Sequence, residues 1–267
     1  MQDGSSFKKN LLSSGDLFSV TVNYDDMTNV TSLLEQHTEG YKILTAVMDL
    51  ASATEKEVYV VGGYVRDALM QRSLTDIDLM VVGEGIVFAR ELASALKGGK
   101  IVPFEQFGTA KIPLNNSIVE VASARSEAYS SDSRKPQVED TDLETDLSRR
   151  DFTINAMAVS LNKTDFGELH DPYNGVKDLN SGLIRTPLDP DTTFSDDPLR
   201  MLRAVRFASQ LGFKVDSSVT DSIQRHVDRI EIVSAERVTA EIYKILASPQ
   251  PSVGLELSQK RRPWCWQ

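Results

Sequence analysis

A short segment near residue 60 constrains the fold most, because it joins two strand-sized apolar runs through a glycine turn. Glu57–Val61 (E-V-Y-V-V) and Ile77–Val82 have the length of buried strands. Gly62-Gly63 predicts a turn after the first run, and Val65–Gln71 predicts a short helix. The segment is therefore a strand–turn–helix–strand unit, which requires a sheet with helices packed against it.

The rest of the chain divides into a mixed region followed by helices. Periodicity predicts helices over 30–53 and Ile86–Leu96, and strands over Lys100–Pro103, Thr109–Leu114 and Ser117–Ala122. We interpret Asn115-Asn116 as a hairpin turn, 126–148 as a flexible loop with an acidic run, and Arg150–Leu161 as partly helical. Later helices are predicted over Pro198–Leu211, Ser217–Arg229 and Ala235–Leu246. This order predicts an α+β fold, with a small mixed β-sheet and flanking helices followed by an all-α region.

We expect three parts along the chain. Residues 1–27 form a mobile N-terminal extension, 28–187 a head that includes an N-terminal helix, and 188–267 a helical neck. Both tryptophans fall in Trp264-Cys265-Trp266, directly after Lys260-Arg261-Arg262. A helical domain has no structural reason to end in this way, so we expect the neck to be truncated and incomplete.

Composition narrows the classes of function. The 267 residues include 29 Lys and Arg against 39 Asp and Glu, a net charge of −10. A purely electrostatic nucleic-acid binder is therefore disfavoured and no DNA partner is expected, although a local basic patch could bind RNA. No run approaches the roughly 18 apolar residues of a membrane helix, so no membrane partner is expected either. The single cysteine excludes an internal disulfide and predicts a reducing, cytoplasmic location.

Two aspartates at the start of the second strand are candidate metal-binding residues. Asp76 and Asp78 are two residues apart, so their carboxylates lie on one face of a strand. Two adjacent carboxylates repel each other unless a cation lies between them. Because the three histidines lack zinc-ligand spacing, such a cation would be a hard one, such as Mg²⁺. The alternative is a solvated strand end.

Glycines and an arginine precede this pair. Gly62-Gly63 would let a phosphate approach the backbone at a helix N-terminus, and Arg66 could reach the same phosphate. Glu120 could supply a third carboxylate from a neighbouring strand, the arrangement needed for two divalent cations. The alternatives are a tight turn with a surface arginine and an exposed edge-strand glutamate.

Two later segments add arginines. Arg150 could offset triphosphate charge, and Asp151 could orient Arg150 or cap a helix. Asp197 followed by proline marks a helix start. Three arginines then fall within an arc of roughly 120° on that helix: Arg200, Arg203 and Arg206. Such a stripe favours anion binding, and the alternative is a solvated basic face. We further expect the acidic run at 139–146 to lie away from any RNA.

These motifs together resemble one family. G-G-Y-V-R-D, D-I-D, V-E-V-A-S-A-R, R-R-D-F-T-I-N-A-M-A and D-D-P-L-R-M-L-R-A-V-R-F-A occur in the order and spacing of the bacterial-type tRNA nucleotidyltransferase/poly(A) polymerase family, within the nucleotidyltransferase superfamily. The resemblance runs from about Tyr59 to about Leu246. It implies a nucleotidyltransferase-superfamily head that adds nucleotides to an RNA 3′ end without a nucleic-acid template.

The resemblance also assigns roles to residues. Asp76 and Asp78 match the family's metal-binding catalytic pair, and Glu120 matches its third catalytic acid, which implies a two-metal Mg²⁺ site. The positions expected to bind ATP or CTP are Gly62, Gly63, Arg66, Asp67, Arg150, Asp151, Asn155, Asp197, Arg200, Arg203 and Arg206. Among these, Asp197 and Arg200 match the pair that reads the Watson–Crick edge of the base. An acceptor beside a donor can distinguish A and C from G and U by hydrogen bonding.

Three alternatives remain for the activity. The expected reaction is addition of CCA to a tRNA 3′ end, because Pro103–Ala110 lacks the basic pair typical of the poly(A) polymerases. Addition of AMP to RNA 3′ ends is the second possibility, and a non-catalytic RNA- or nucleotide-binding remnant is the third. A small-molecule nucleotidyltransferase of the aminoglycoside type is disfavoured by the base-reading helix. The chain departs from the family in Asp196, where glutamate is frequent, and in ending before the family's helical body and tail.

Overall fold

The computed structural model describes residues 28–74, 76–114, 117–128, 137–140 and 142–259. The predictions for 1–27, for the turn at Asn115-Asn116 and for Trp264-Cys265-Trp266 lie outside these residues.

Eleven strands occur in the described part of the chain, and seven of them form one sheet. They are β1 (Val58–Val61), β2 (Ile77–Val81), β3 (Val102–Phe104), β4 (Thr109–Pro113), β5 (Ile118–Ser123), β6 (Arg125–Ala128), β7 (Gln137–Asp140), β8 (Ala158–Ser160), β9 (Leu169–His170), β10 (Leu183–Ile184) and β11 (Lys214–Val215). The sheet order is β3-β4-β5-β2-β1-β8-β9. β2 and β5 run parallel and the other neighbours antiparallel, which confirms the predicted mixed sheet.

Helices flank this sheet and then continue alone toward the C-terminus. In the head they are α1 (Thr31–Glu35), α2 (Thr38–Thr54), α3 (Gly63–Leu69), α4 (Gly85–Ala95), α5 (Leu143–Ser148) and α6 (Gly175–Ser181). In the neck they are α7 (Pro190–Asp196), α8 (Leu199–Leu211), α9 (Ser217–His226), α10 (Ala235–Leu246) and α11 (Pro251–Gln259). Short 3₁₀ turns occur at Glu105–Phe107, Thr153–Asn155 and Val227–Ile232.

The two faces of the sheet have cores of different size. Because side chains alternate along a strand, Val60 of β1 belongs to a large cluster and Tyr59 to a small one. The large cluster includes Phe88 of α4 and Phe207 of α8, so the core continues from the sheet into the neck. Leu147 of α5 covers the small cluster. The division of the chain at 187/188 stays a prediction.

Several local predictions were wrong in detail. The predicted helix over 30–53 is two helices, α1 and α2, and the neck contains the short strand β11, paired with β10. The predicted loop over 126–148 contains the paired strands β6 and β7 and the helix α5, whose N-cap Asp142 accepts a hydrogen bond from the Thr145 amide. The segment 150–161 holds a 3₁₀ turn and the strand β8 rather than an α-helix. The strands in 126–148 were missed because this polar segment shows no apolar alternation.

No helix in the described part of the chain is both long enough and apolar enough to cross a membrane.

Candidate active site

A cleft of about 720 Å³ lies between the sheet and helices α8 and α10. It is lined by Gly62, Gly63, Arg66, Asp67, Asp76, Asp78, Arg150, Asp151, Asn155, Asp197, Arg200, Arg203 and Arg206. The fold therefore brings together predicted site residues separated by up to 144 positions in sequence, counted from 62 to 206. Glu120 is the one predicted site residue that does not line the cleft, and it lies next to it.

The position of Glu120 follows from strand pairing. In the parallel ladder of β2 and β5, Asp78 is the register partner of Glu120. Ile77 is 2% exposed, so its neighbour Asp78 points away from the large core, as the alternation predicted. Burial raises the pKa of Asp78, and the negative charges of Glu120 and Asp76 raise it further against the opposing effect of Arg150. The site therefore concentrates negative charge where water is partly excluded.

Glu120 also has a partner on the other side. Its carboxylate forms an ion pair of 3.0 Å with Lys111, its register partner on β4. Within the described residues, no three His, Cys, Asp or Glu side chains converge closely enough to form a ready metal site. Asp76 and Asp78 nevertheless supply hard oxygen donors whose mutual repulsion a divalent cation would relieve, so the donor chemistry fits Mg²⁺.

Gly62 is required by close packing above Asp78. Its φ is +71°, and a Cβ at this position would lie 2.8 Å from Arg150 Nη1 and 3.9 Å from Asp78 Oδ2. A residue with a side chain here would have to adopt this positive φ and displace the Arg150 guanidinium. Arg150 is further held by an ion pair of 2.9 Å with Asp146 on α5. Asp146, at the end of the acidic run, thus contacts a residue that lines the cleft, and the position of this run relative to RNA stays a prediction.

Arg66 is fixed by neighbouring polar side chains. It donates to both carboxylate oxygens of Asp67, at 2.9 and 2.7 Å, and to the Oδ1 atom of Asn155 at 2.6 Å. These hydrogen bonds hold the guanidinium beside Gly63, where a Cβ would lie 3.5 Å from Arg66 Nη2. Arg66 is therefore positioned at the glycine turn, as the anion-binding hypothesis requires.

Asp151 is buried at the base of the cleft. It accepts hydrogen bonds from the Phe152 amide (2.8 Å), the Asn155 side chain (2.9 Å) and Arg203 Nε (2.7 Å). Burial alone would raise its pKa, but the Arg203 guanidinium and these hydrogen bonds lower the pKa overall. The prediction that Asp151 orients Arg150 was wrong, because its ion-pair partner is Arg203 on α8.

The start of α8 is organised by Asp197. Its carboxylate accepts from the Leu199 amide at 3.1 Å and from Arg237 of α10 at 2.8 Å. Arg200 donates to the backbone carbonyls of Arg149 at 2.7 Å and of Thr193 at 3.4 Å. Both side chains are therefore held at the edge of the cleft by hydrogen bonds that leave part of each polar surface facing it.

Arg206 contacts the neck more than the open cleft. Its Nε lies 2.6 Å from a carboxylate oxygen of Glu241 on α10, and both side chains are almost fully buried. The guanidinium also lies 4.1 Å from the centroid of the Phe207 ring. The stripe of arginines is thus neutralised largely by the protein itself, through carbonyls, Asp151 and Glu241.

Sequence reasoning missed the contribution of α10 and α5. Arg237 and Lys244 of α10 line the cleft, while Glu241 of α10 and Asp146 of α5 pair with the lining residues Arg206 and Arg150. The four-residue spacing of Asp146 and Arg150 was a detectable signal. Arg237 and Glu241 carried no such signal for the cleft, because their partners there, Asp197 and Arg206, are 35 or more residues away.

Comparison with known proteins agrees with this geometry. Residues 58–185 match the model of the poly(A) polymerase head domain, and residues 212–260 match that of the probable RNA- and SrmB-binding site of polymerase A. The A-adding tRNA nucleotidyltransferase of Halalkalibacterium halodurans is 32% identical over 234 residues, which cover 86% of this chain and 53% of that protein. The CCA-adding enzyme of Staphylococcus epidermidis is 34% identical over 208 residues, 77% of this chain and 50% of that protein.

Solved structures are similar over the same region. A CCA-adding enzyme in complex with ATP superposes with a TM-score of 0.74 at 32% identity, covering 87% of this chain and 54% of that one. The Thermotoga maritima CCA-adding enzyme complexed with tRNA superposes with a TM-score of 0.73 at 31% identity, covering 87% of this chain and 53% of that one. The fold and the paired carboxylates define a nucleotidyltransferase head. The chain belongs to the tRNA nucleotidyltransferase/poly(A) polymerase family, and it spans about half the length of the curated relatives named above.

Proposed function

We propose that this protein adds nucleotides to the 3′ end of tRNA without a nucleic-acid template, building CCA from CTP and ATP. The observation that carries the proposal is the single cleft that the aspartate pair, the glycine turn and the proposed base-reading pair line together. Asp76 and Asp78 supply the negative charge for metal binding. Asp197 and Arg200 supply an acceptor and a donor at the start of α8. A binding remnant would have no need of the first pair.

The chemistry is an in-line displacement at phosphorus. A bond forms between the RNA 3′ oxygen and the α-phosphorus of the nucleotide, and the bond from that phosphorus to the bridging oxygen of pyrophosphate breaks. Two Mg²⁺ ions, held by Asp76 and Asp78 with Glu120, would lower the pKa of the attacking hydroxyl and stabilise the leaving oxygen. Arg66 and Arg150 bind the β- and γ-phosphates, because both guanidinium groups lie against the glycine turn.

Base selection falls to the start of α8. The Asp197 carboxylate accepts a hydrogen bond from the amino group that A and C share, and Arg200 donates to the neighbouring ring acceptor. The anchoring of Arg200 to two backbone carbonyls fixes the direction of its remaining N–H groups. G and U present the opposite pattern and would leave both side chains without partners.

Polyadenylation is the second candidate, because the family model matched by residues 58–185 is that of the poly(A) polymerase head domain. The absence of a basic pair in Pro103–Ala110 favours CCA addition. RNA primers also separate both activities from a small-molecule transferase, which would ignore RNA.

A primer-extension assay tests the proposal. The substrates are tRNA transcripts that end before CCA, after C and after CC, with Mg²⁺ and labelled nucleoside triphosphates supplied singly and together. We expect incorporation of C, C and A in that order, followed by a stop. Open-ended incorporation of A would establish polyadenylation instead. Binding of ATP and CTP without incorporation would contradict the proposed activity for this length of chain.

A further inference from the structure

A second cleft adjoins the catalytic one. It has a volume of about 570 Å³ and lies between the first turn of α2, the turn after α4 and the end of β4. Tyr64 and Leu74 line both clefts, so the two are neighbours across these side chains. Ile77 and Leu114 contribute apolar surface to its walls. We call it the Tyr64 cleft.

The Tyr64 cleft is lined by a residue with a buried hydroxyl group, which suggests a binding site. Tyr64 is 3% exposed, and its hydroxyl has no hydrogen-bond partner in the described structure. A buried hydroxyl without a partner is costly, so such groups usually bond to a ligand or water. Burial raises the pKa of Tyr64 to about 12, so the group stays protonated at neutral pH and can donate.

The surroundings of this hydroxyl favour an anion. The N-terminus of α2 begins at the cleft, and its N-cap residue His37 makes no side-chain capping hydrogen bond. Gly40 in the first turn leaves the hydroxyl room: a Cβ there would lie 2.8 Å from the Tyr64 oxygen. Lys42 and Lys97 also line the cleft, against the single acid Glu39 among its described lining residues. Helix amides, two ammonium groups and a hydroxyl donor together suit a phosphate.

We propose that the Tyr64 cleft binds a backbone phosphate of the RNA strand whose 3′ end reaches Asp78. This inference rests on the proposed function. The triphosphate of the nucleotide already has Arg66 and Arg150 in the catalytic cleft, so a second phosphate site beside it fits the other substrate. The Tyr64 cleft would hold the primer strand with residues of α2, of the turn after α4 and of the end of β4, and it contains no residue of α8.

The test measures binding without turnover. A fluorescein-labelled RNA minihelix with a single-stranded 3′ tail is titrated with the protein in the absence of nucleoside triphosphates, at several salt concentrations, and anisotropy is recorded. The variants are Tyr64→Phe and the double variant Lys42→Ala/Lys97→Ala. Lys177→Ala is the matched control, because Lys177 is exposed on α6 and lines neither cleft.

We expect the double variant to bind the RNA about tenfold more weakly than the unaltered protein. The slope of log affinity against log salt concentration should become shallower by about 0.7 for each RNA phosphate that the protein no longer neutralises. Tyr64→Phe should weaken binding about threefold while raising the melting temperature, because a buried unpaired hydroxyl is removed. A purely structural role for Tyr64 would not give weaker binding in a more stable protein. Affinities for ATP and CTP should stay unchanged in the double variant, because Lys42 and Lys97 do not line the catalytic cleft.

RNA affinities equal to that of Lys177→Ala would overturn the inference, as would failure of the unaltered protein to bind the RNA. Weaker ATP or CTP binding with unchanged RNA binding would assign the phosphate to the nucleotide and also overturn it. A failure of the proposed function is distinguishable, because primer extension would then be absent while RNA binding still responded to these substitutions.

Discussion

Asp78 and Glu120 are register partners on two parallel strands, β2 and β5, and this pairing brings two carboxylates to the edge of one cleft. The pairing is parallel because the chain between them crosses through α4 and the β3–β4 hairpin before returning. Each residue alternates with buried neighbours, so a one-residue slip would bury both carboxylates in the core. The strand register that builds the core therefore also builds the candidate metal site.

The carboxylate pair predicts a stabilising effect of Mg²⁺. A cation bound at Asp76 and Asp78 relieves their repulsion in the folded protein only, so Mg²⁺ should raise the melting temperature in a saturable way. Asp78→Asn should abolish this response and should itself raise the melting temperature in metal-free buffer. Thermal unfolding with chelator and with increasing Mg²⁺ measures both effects. The control is Asp49→Asn, an exposed acid on α2, and equal Mg²⁺ stabilisation of all three proteins would refute the metal assignment.

The ion pair of Asp151 and Arg203 predicts a pH dependence of stability. The pKa of Asp151 is lowered in the folded protein, so its contribution is present above the ordinary aspartate pKa near 4 and disappears as the pH falls through the lower folded value. Asp151→Asn should lower the free energy of unfolding by about 2 kcal/mol at pH 7. This loss is smaller than that expected for a fully buried ion pair, because Arg203 is partly exposed.

Urea denaturation from pH 7 to pH 3 checks this expectation. The difference between the unaltered protein and Asp151→Asn should shrink below pH 4, where the carboxyl becomes protonated first in the unfolded and then in the folded state. A difference that stays constant over the whole range would show that the carboxylate charge is not its origin.

The ion pair of Arg206 with Glu241 predicts that α10 contributes to the free energy of unfolding through a residue that lines the cleft. Glu241→Gln leaves a buried guanidinium without its counter-charge and should cost about 3 kcal/mol of folding free energy. Glu231→Gln, an exposed acid between α9 and α10, should change stability by less than about 0.5 kcal/mol. A double-mutant cycle with Arg206→Met should give a coupling energy of about 1–3 kcal/mol. Additive effects would mean that the two side chains do not interact in solution.

The proposed base-reading role of Asp197 and Arg200 predicts a loss of selectivity rather than a uniform loss of binding. Asp197→Ala and Arg200→Ala should each reduce the preference for A and C over G and U by about tenfold or more, because the correct base loses its hydrogen-bond partner. Single-nucleotide incorporation with each of the four triphosphates measures the preference. Arg225→Met is the control, since Arg225 pairs with Asp191 outside the cleft. Unchanged selectivity in both variants would remove α8 from base recognition.

The sequence was informative wherever a signal was local. Apolar runs placed β1, β2 and β5 within about a residue of their bounds, and alternation correctly separated Ile77 from Asp78. The membership of Arg66, Arg150 and Asp197 in one cleft came from the resemblance, since no local pattern can bring together residues more than a hundred positions apart.

What could not be predicted is which charges neutralise one another. The sequence predicted that the three arginines of α8 form a surface that binds an external anion. The structure instead pairs Arg203 with Asp151, places Glu241 beside Arg206 and anchors Arg200 to carbonyls. These partners come from distant elements, and their identity depends on packing angles that a sequence pattern does not contain. The strands β6 and β7 were missed for a different reason, because their polar sequence shows no apolar alternation.

The most direct test of the account compares nucleotide binding and nucleotidyl transfer in one variant, Asp78→Asn. The account predicts that CTP and ATP affinities stay within about threefold of those of the unaltered protein, because the glycine turn, the arginines and α8 are intact. Transfer to a tRNA transcript should fall by about a thousandfold or more, the loss expected when several kcal/mol of metal-based stabilisation are removed. Turnover close to that of the unaltered protein would contradict the assignment of this cleft as the catalytic site.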